Sequence, residues 1–413
     1  MSHNRIDQRH WLFWVVMWLA VGCGGTAVAV PPTPTLTAAP LSPTPTVTAA
    51  DTPSPTATIT PSATPSATPS AISSATPASQ PTHTPTPQPT ITPTIEGLIG
   101  PDNFPANVNP LTGEVVGNSA VLARRPLAIK ISNHPILVRP QAGLNSADLV
   151  FEHYVEAGFT RFTAVFYSQD ADPVGSVRSG RLIDLEIPNM YDAAFAYSGS
   201  VGPVRLMFKE SEFFNRLISI DFGHGGFYRV EEADRPIVHS LFTDTTRLRY
   251  LLDERGQNTP PQLQNGMTFR AAPITPGELA RSLEIQYQGT NAFWGYDVGD
   301  GRYRRWTDGK PHLDANTGEQ LSFKNIIVLS AQHVETDIVE DTGGSHSIQI
   351  QIWGEGPVSI FRDGQRFDGR WRRDDPHHML TFTDKEGGPL PLAPGSSFFQ
   401  IVPTGFDDLT VTP

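Results

Sequence analysis

Between Val30 and Ile95 the chain is almost entirely Pro, Thr, Ser and Ala, in units such as Pro61-Ser62-Ala63-Thr64-Pro65-Ser66-Ala67-Thr68, and Asp51 is its one formal charge. Such a stretch builds no core, because it has too little apolar surface to offset the entropy of ordering it, and frequent Pro favours extended polyproline conformations. It reads as a tether. At about 3.1 Å per residue its extended limit is on the order of 200 Å, enough to hold a domain clear of a membrane. Its Thr and Ser residues permit O-glycosylation.

Arg5 and Arg9 precede an apolar run, Trp11 to Gly22, which Cys23 closes. The run is about a dozen residues long, against about 20 for a membrane-spanning helix, and no cluster of Lys or Arg follows it. Residues 1–22 therefore read as an export signal. Leu19-Ala20-Val21-Gly22-Cys23 resembles the lipobox of bacterial lipoproteins, whose cysteine is acylated and becomes the new N-terminus, with leucine one place further from the cysteine than in the commonest pattern. The alternative is an ordinary secretory signal with an incidental Cys23. A lone thiol without a disulfide partner favours the lipid anchor. The expected location is the extracytoplasmic face of a bacterial membrane, with membrane lipid as the partner of Cys23 and residues 23–99 as the tether.

The rest of the chain is long enough for two domains of ordinary size. A net charge of -12 and a pI near 5.4, with no basic stripe, argue against nucleic acid as a partner. Cys23 is the only cysteine, so neither disulfides nor a thiolate metal site can hold the fold. The expected class is α+β, with a mixed α/β domain over 100–258 followed by a β-rich domain over 267–405.

In the first of these, Leu127-Ala128-Ile129-Lys130-Ile131 reads as a buried strand ending at Ser132-Asn133-His134-Pro135. Leu149 to Glu156, Ala157-Gly158 and Phe159 to Tyr167 read as a hairpin. A two-residue connection sets Glu156 opposite Phe159, Tyr154 opposite Arg161 and Glu152 opposite Thr163. Period-two alternation then gathers Glu152, Tyr154, Glu156, Arg161 and Thr163 on a polar face, and Phe151, His153, Val155, Phe162 and Ala164 on a core face. Glu152 and Glu156, about 13 Å apart along a strand, exceed the roughly 5 to 9.5 Å of a glycosidase pair. Cross-strand ion pairing with Arg161 is the bland account of this face, and an Arg flanked by carboxylates also suits polar ligands.

Gly175-Ser176-Val177-Arg178-Ser179-Gly180-Arg181 leads into Leu182 to Ile187. Ser179 as a helix cap sets Arg181 and Asp184 one turn apart. Ala193 to Ser198 reads as a strand, Gly199-Ser200-Val201-Gly202-Pro203 as a tight connection whose N-H groups suit an anion, and Val204 to Phe214 as a helix. Thr243 caps a further helix, Asp244 to Glu254, ended by Gly256.

These stretches carry a resemblance. Asn109-Pro110-Leu111-Thr112-Gly113, Arg125-Pro126-Leu127-Ala128-Ile129, Asn133-His134-Pro135, Arg139 to Leu144, Ala147 to Glu152, Glu156 to Phe162, Val177 to Arg181 and His239-Ser240-Leu241-Phe242-Thr243 resemble, in order, the YerB-like bacterial lipoproteins. The resemblance covers essentially all of the chain after the tether. It implies location and an architecture of N-terminal and C-terminal parts of unknown function. Two positions depart from it: Ala196-Tyr197-Ser198-Gly199-Ser200 stands where the family commonly has a His-Ala-Gly-Gly-Ser-like run, and Ser240 stands where asparagine is expected.

From Met267 to Pro403 the pattern is mostly strand, with turns at Asp300-Gly301, Asp308-Gly309, Asp363-Gly364 and Gly387-Gly388. Trp294, Tyr296, Tyr303, Trp306, Trp353 and Trp371 are candidates to stack on sugars, though core packing explains most of them. There is no His-Glu-x-x-His zinc motif and no Gly-x-Ser-x-Gly elbow, and His377-His378 reads as a solvated loop, so no metal, cofactor or catalytic residue is assigned. The candidate ligand-binding residues are Arg139, Glu152, Glu156, Arg161, Arg178, Arg181, Asp184 and His239. Two functions are open: binding of a cell-wall fragment or envelope protein in an arginine-carboxylate cleft, or hydrolysis of envelope glycan or peptide with Asp184, Glu152 or His239 as acid or base.

Overall fold

The computed structural model of the chain describes residues 97–231, 235–274 and 276–413. The segments expected to be the export signal, the lipid anchor Cys23 and the tether as far as Glu96 lie outside the described residues. In the first half, strands β1 (Leu127–Ser132), β2 (Leu149–Tyr154), β3 (Thr160–Phe166), β4 (Ala194–Tyr197) and β5 (Leu217–Ser219) are interleaved with helices α1 (Gly202–Glu210) and α2 (Thr245–Glu254). The second half is almost all strand: β6 (Ser282–Gln286), β7 (Asn291–Asp297), β8 (Arg302–Thr307), β9 (Asn325–Val339), β10 (His346–Gln351), β11 (Gly354–Arg362), β12 (Gln365–Arg373), β13 (Thr381–Thr383), β14 (Ser397–Pro403) and β15 (Leu409–Thr412).

Both halves build one twelve-stranded sheet, ordered β13-β12-β11-β9-β14-β2-β3-β1-β4-β5, with β10 hydrogen-bonded to β9 and the short strand Glu278–Leu279 to β12. The seam between the halves is the parallel pair β2 and β14, where Leu149 lies opposite Ser397 and Glu152 opposite Gln400. The segments 100–258 and 267–405 thus share their main sheet. A second, six-stranded sheet runs through β8, β7, β6 and β15.

Strands β1, β2 and β3 are buried along their whole length. One face of the sheet presents Ala128, Phe151, Val165 and Phe399 to the Leu182–Tyr191 segment and to Val204 and Phe208 of α1. The other presents Ile129, Val150, Phe162 and Phe398 to Leu248 and Leu252 of α2 and to Leu283, Trp294 and Tyr303 of the smaller sheet. Each buried Val, Leu, Ile or Phe among them contributes about 1.5–3 kcal/mol by leaving water. Trp294, Tyr303 and Trp371 are core residues, whereas Trp353 is 40% exposed.

Local chemistry explains the turns. Asp308 and Gly309, and Asp363 and Gly364, all take positive φ, as two-residue hairpins of matching twist require. Asp244 caps α2 by accepting from the Arg247 N–H at 2.7 Å, in place of the expected Thr243. Arg181, not Ser179, precedes a short 3-10 turn, Leu182–Leu185, and the Asp184 carboxylate accepts from its N–H at 2.7 Å.

The expected register of the hairpin is corrected. Glu152 lies opposite Phe162, His153 opposite Arg161 and Tyr154 opposite Thr160. The connection is longer than two residues: it contains a 3-10 turn at Glu156–Gly158, with Ala157 and Gly158 in the left-handed region. A slip of one position moves a whole strand's side chains to the other face. Glu152 and Arg161 consequently point to opposite sides of the sheet.

Candidate functional site

Strands β1, β4 and β5 are parallel, and ligands of open α/β sheets bind outside the carboxyl ends of such strands. At that end the segment Ser176–Gly180 is wedged between β1 and β4. The Arg178 N–H donates to the Lys130 carbonyl at 3.0 Å, and the Arg178 carbonyl accepts from Ser198 N–H at 3.0 Å. Val177 pairs with Ile131 and joins the core on the α2 side, so alternation sends Arg178 to the opposite face, where Arg161 and Arg181 lie.

Glu156 is gripped by two arginines. Arg181 Nε donates to its Oε2 at 2.7 Å and Arg181 Nη2 to its Oε1, while Arg161 Nη2 donates to Oε1 at 3.1 Å. Burial pushes the Glu156 carboxyl up, but the Arg181 hydrogen bonds and the charges of both arginines outweigh it and hold the pKa at about 2. From the second half, Glu340 brings a nearly buried carboxylate to 3.4 Å from Arg181 Nη1. Arg161 also donates to the Ser179 carbonyl at 3.0 Å.

Among the described residues, the three arginines Arg161, Arg178 and Arg181 thus share two paired carboxylates, Glu156 and Glu340. Among the described residues Arg178 makes no ion pair. Its Nη1 donates to the Val238 carbonyl at 2.8 Å, and its Nε is buried without a partner. Beside it His239 is 8% exposed, with Nδ1 unpartnered among the described residues. Burial first, then the charges of Arg178 and Arg235, lower the His239 pKa to about 4, so its imidazole is neutral at pH 7.

Beneath this cluster lies a closed polar knot. Lys130 Nζ sits 2.8 Å from Asp184 Oδ2, donates to Thr163 Oγ1 at 3.0 Å and lies 2.6 Å from His153 Nε2, all with no exposure. Burial lowers the Lys130 pKa to about 8 against the opposing pull of Asp184. Burial and the Lys130 charge keep His153 neutral, with Nδ1–H donating to the Tyr154 carbonyl. Asp184 thus anchors the Arg181 backbone and is closed to solvent.

Arg139 and Glu152 belong to a different network on the other face. Arg305 Nη2 donates to Glu152 Oε2 at 2.8 Å, and Asn133 and Thr160 donate to Oε1 at 3.1 and 2.8 Å. The Arg305 guanidinium lies 5.1 Å from the Trp294 ring centroid and 4.9 Å from that of Phe398. Arg139 pairs with Asp308 at 2.5 Å and donates from Nε to Asn133 Oδ1 at 3.1 Å, so Asn133 joins it to Glu152.

The eight candidate residues thus divide. Glu156, Arg161, Arg178, Arg181, Asp184 and His239 gather on one face, and Arg139 and Glu152 on the other. The expectation of Glu152 or Asp184 as an acid or base is corrected by their enclosure: neither side chain is exposed and both are ion-paired. Lys130, His153, Arg305 and Glu340 are not among the candidates the sequence offers. Lys130 carried a signal, because a cation inside an apolar strand run needs a buried partner.

Family models describing the N-terminal and C-terminal domains of a protein of unknown function (DUF3048) match residues 111–258 and 283–399. The putative lipoprotein YerB of Bacillus subtilis (strain 168) is 29% identical over 309 residues, which is 73% of this chain and 88% of that protein. The crystal structure of the YerB protein from Bacillus subtilis matches with a TM-score of 0.63 at 25% identity, covering 74% of this chain and 99% of that one.

Proposed function

The chain belongs to the DUF3048 family and is similar to the putative lipoprotein YerB, and from that premise we propose a lipid-anchored extracytoplasmic protein that binds a cell-envelope ligand through its arginine cluster. Cys23 is the attachment, and residues 23–99 are the spacer. The ligand is an anionic group of a cell-wall fragment or of an envelope protein. The observation that carries this reading is the guanidinium of Arg178, which lacks a carboxylate partner among the described residues while Arg161 and Arg181 are both paired. A planar guanidinium with free donors suits a carboxylate or a phosphate.

Hydrolysis of envelope glycan or peptide has less support. Of its three acid-base candidates only His239 adjoins the open edge. The test is to titrate the full chain in detergent micelles with purified muropeptides, following heat of binding and product formation, for the wild type and Arg178→Ala. Binding without turnover, weakened about tenfold or more in the variant, supports the proposal. Turnover that survives Arg178→Ala and is abolished by His239→Ala would establish the hydrolase instead.

A further inference from the structure

A cavity of about 300 Å3 opens on the opposite side of the sheet, between the Ile136–Pro140 loop after β1 and the hairpin Thr307–Leu313 that follows β8. Its size is at the bottom of the range for small-ligand pockets, about 300 to 1,000 Å3. Ile136, Pro140, Pro311 and Leu313 line it, and Ile136 and Leu313 are 62% and 38% exposed. Apolar groups from two remote segments therefore converge on one surface depression, which free aliphatic side chains need not do for the fold.

The floor is a buried hydrogen-bonded network. His312 is buried, its Nδ1 lies 3.0 Å from Arg305 Nε and its Nε2 lies 2.5 Å from Gln141 Oε1. Arg305 can only donate, so Nδ1 is the acceptor and Nε2–H donates to Gln141. Of the charged lining residues, Arg139 and Asp308 are paired with each other. The Lys310 side chain makes no hydrogen bond or ion pair among the described residues, so the rim carries one uncompensated positive charge.

We propose that this cavity is a second binding site, specific for a peptide C-terminus whose last side chain is aliphatic. The aliphatic side chain fills the space between Ile136, Pro140, Pro311 and Leu313, and the terminal carboxylate pairs with Lys310. The cavity accommodates a residue that carries both the apolar and the anionic group, and a C-terminal Val or Leu meets that condition. The site is independent of the Arg178 reading, because it lies on the other face of the sheet.

The test is calorimetric titration of the full chain in detergent with acetyl-Ala-Val-Leu as the free acid, with its C-terminal amide, and with acetyl-Ala-Ser-Ser free acid. Saturable binding of the first, about tenfold weaker binding of the other two, and a loss of about fivefold or more in Lys310→Ala and in Leu313→Ser are expected. Lys310 and Leu313 are exposed, so both variants should keep the fold, which their thermal melting checks. Equal affinity for acid and amide, or no saturation at millimolar peptide, overturns the proposal. So does a loss of binding in Arg178→Ala that matches the loss in Lys310→Ala.

Discussion

Glu152 and Arg305 are 153 positions apart in sequence and meet at 2.8 Å, with neither side chain exposed. One belongs to the first half and the other to the second, so the contact locks the smaller sheet onto the large one. A buried pair of this kind adds little over apolar packing, yet losing one partner strands the other in a dry site. Glu152→Ala is expected to cost about 3 to 5 kcal/mol in denaturant unfolding, and Glu152→Leu with Arg305→Met to recover most of it. A cost below about 1 kcal/mol for Glu152→Ala would show that Arg305 finds another partner or water.

Glu156 makes the acid limb of stability predictable. Its carboxyl is held at about 2, below the ordinary 4.5, so the folded state binds this proton less readily than the unfolded chain. Its contribution is complete above pH 4.5 and is lost as the pH falls towards 2. The shift corresponds to roughly 3 kcal/mol. The difference in unfolding free energy between wild type and Glu156→Gln should be largest near pH 5 to 7 and shrink towards pH 2; a difference independent of pH contradicts the assignment.

Gly113 closes the Asn109-Pro110-Leu111-Thr112-Gly113 turn at φ +68, and its N–H donates to the Asn109 carbonyl at 2.7 Å. A Cβ there would meet Phe269 at 2.4 Å. Gly113→Ala therefore suffers both left-handed strain and a clash with a buried ring, and should cost about 2 kcal/mol or more in thermal or denaturant melting. Thr112→Ala, three residues from the same asparagine but free of either constraint, should cost clearly less.

The hairpin at Asp363-Gly364 was legible because its residues specify the turn, and the register Arg362 opposite Gln365 follows from it. The hairpin joining β2 and β3 was not. Its strands are buried on both faces, so apolar and polar residues give no alternation to fix the register, and Ala157 conceals a left-handed position that sequence normally marks with Gly or Asn. That single slip hid the separation of Glu152 from Arg161. The division of the site had a second hidden cause: the parallel pairing of Leu149 with Ser397 joins segments whose sequences each look like a separate domain. The arginines themselves were visible as residue types, but which of them is left without a carboxylate depends on Glu340, contributed from the far end of β9.

The central claim is that Arg178 receives the ligand's anionic group. Its most direct test is side-chain NMR of the Arg178 Nε–H, identified by its disappearance in Arg178→Lys, during titration of the full chain in micelles with purified muropeptides. The account predicts a saturable shift of this resonance, with a smaller change at Arg181, whose Nε is already committed to Glu156. Saturable binding that leaves the Arg178 resonance unmoved would contradict it.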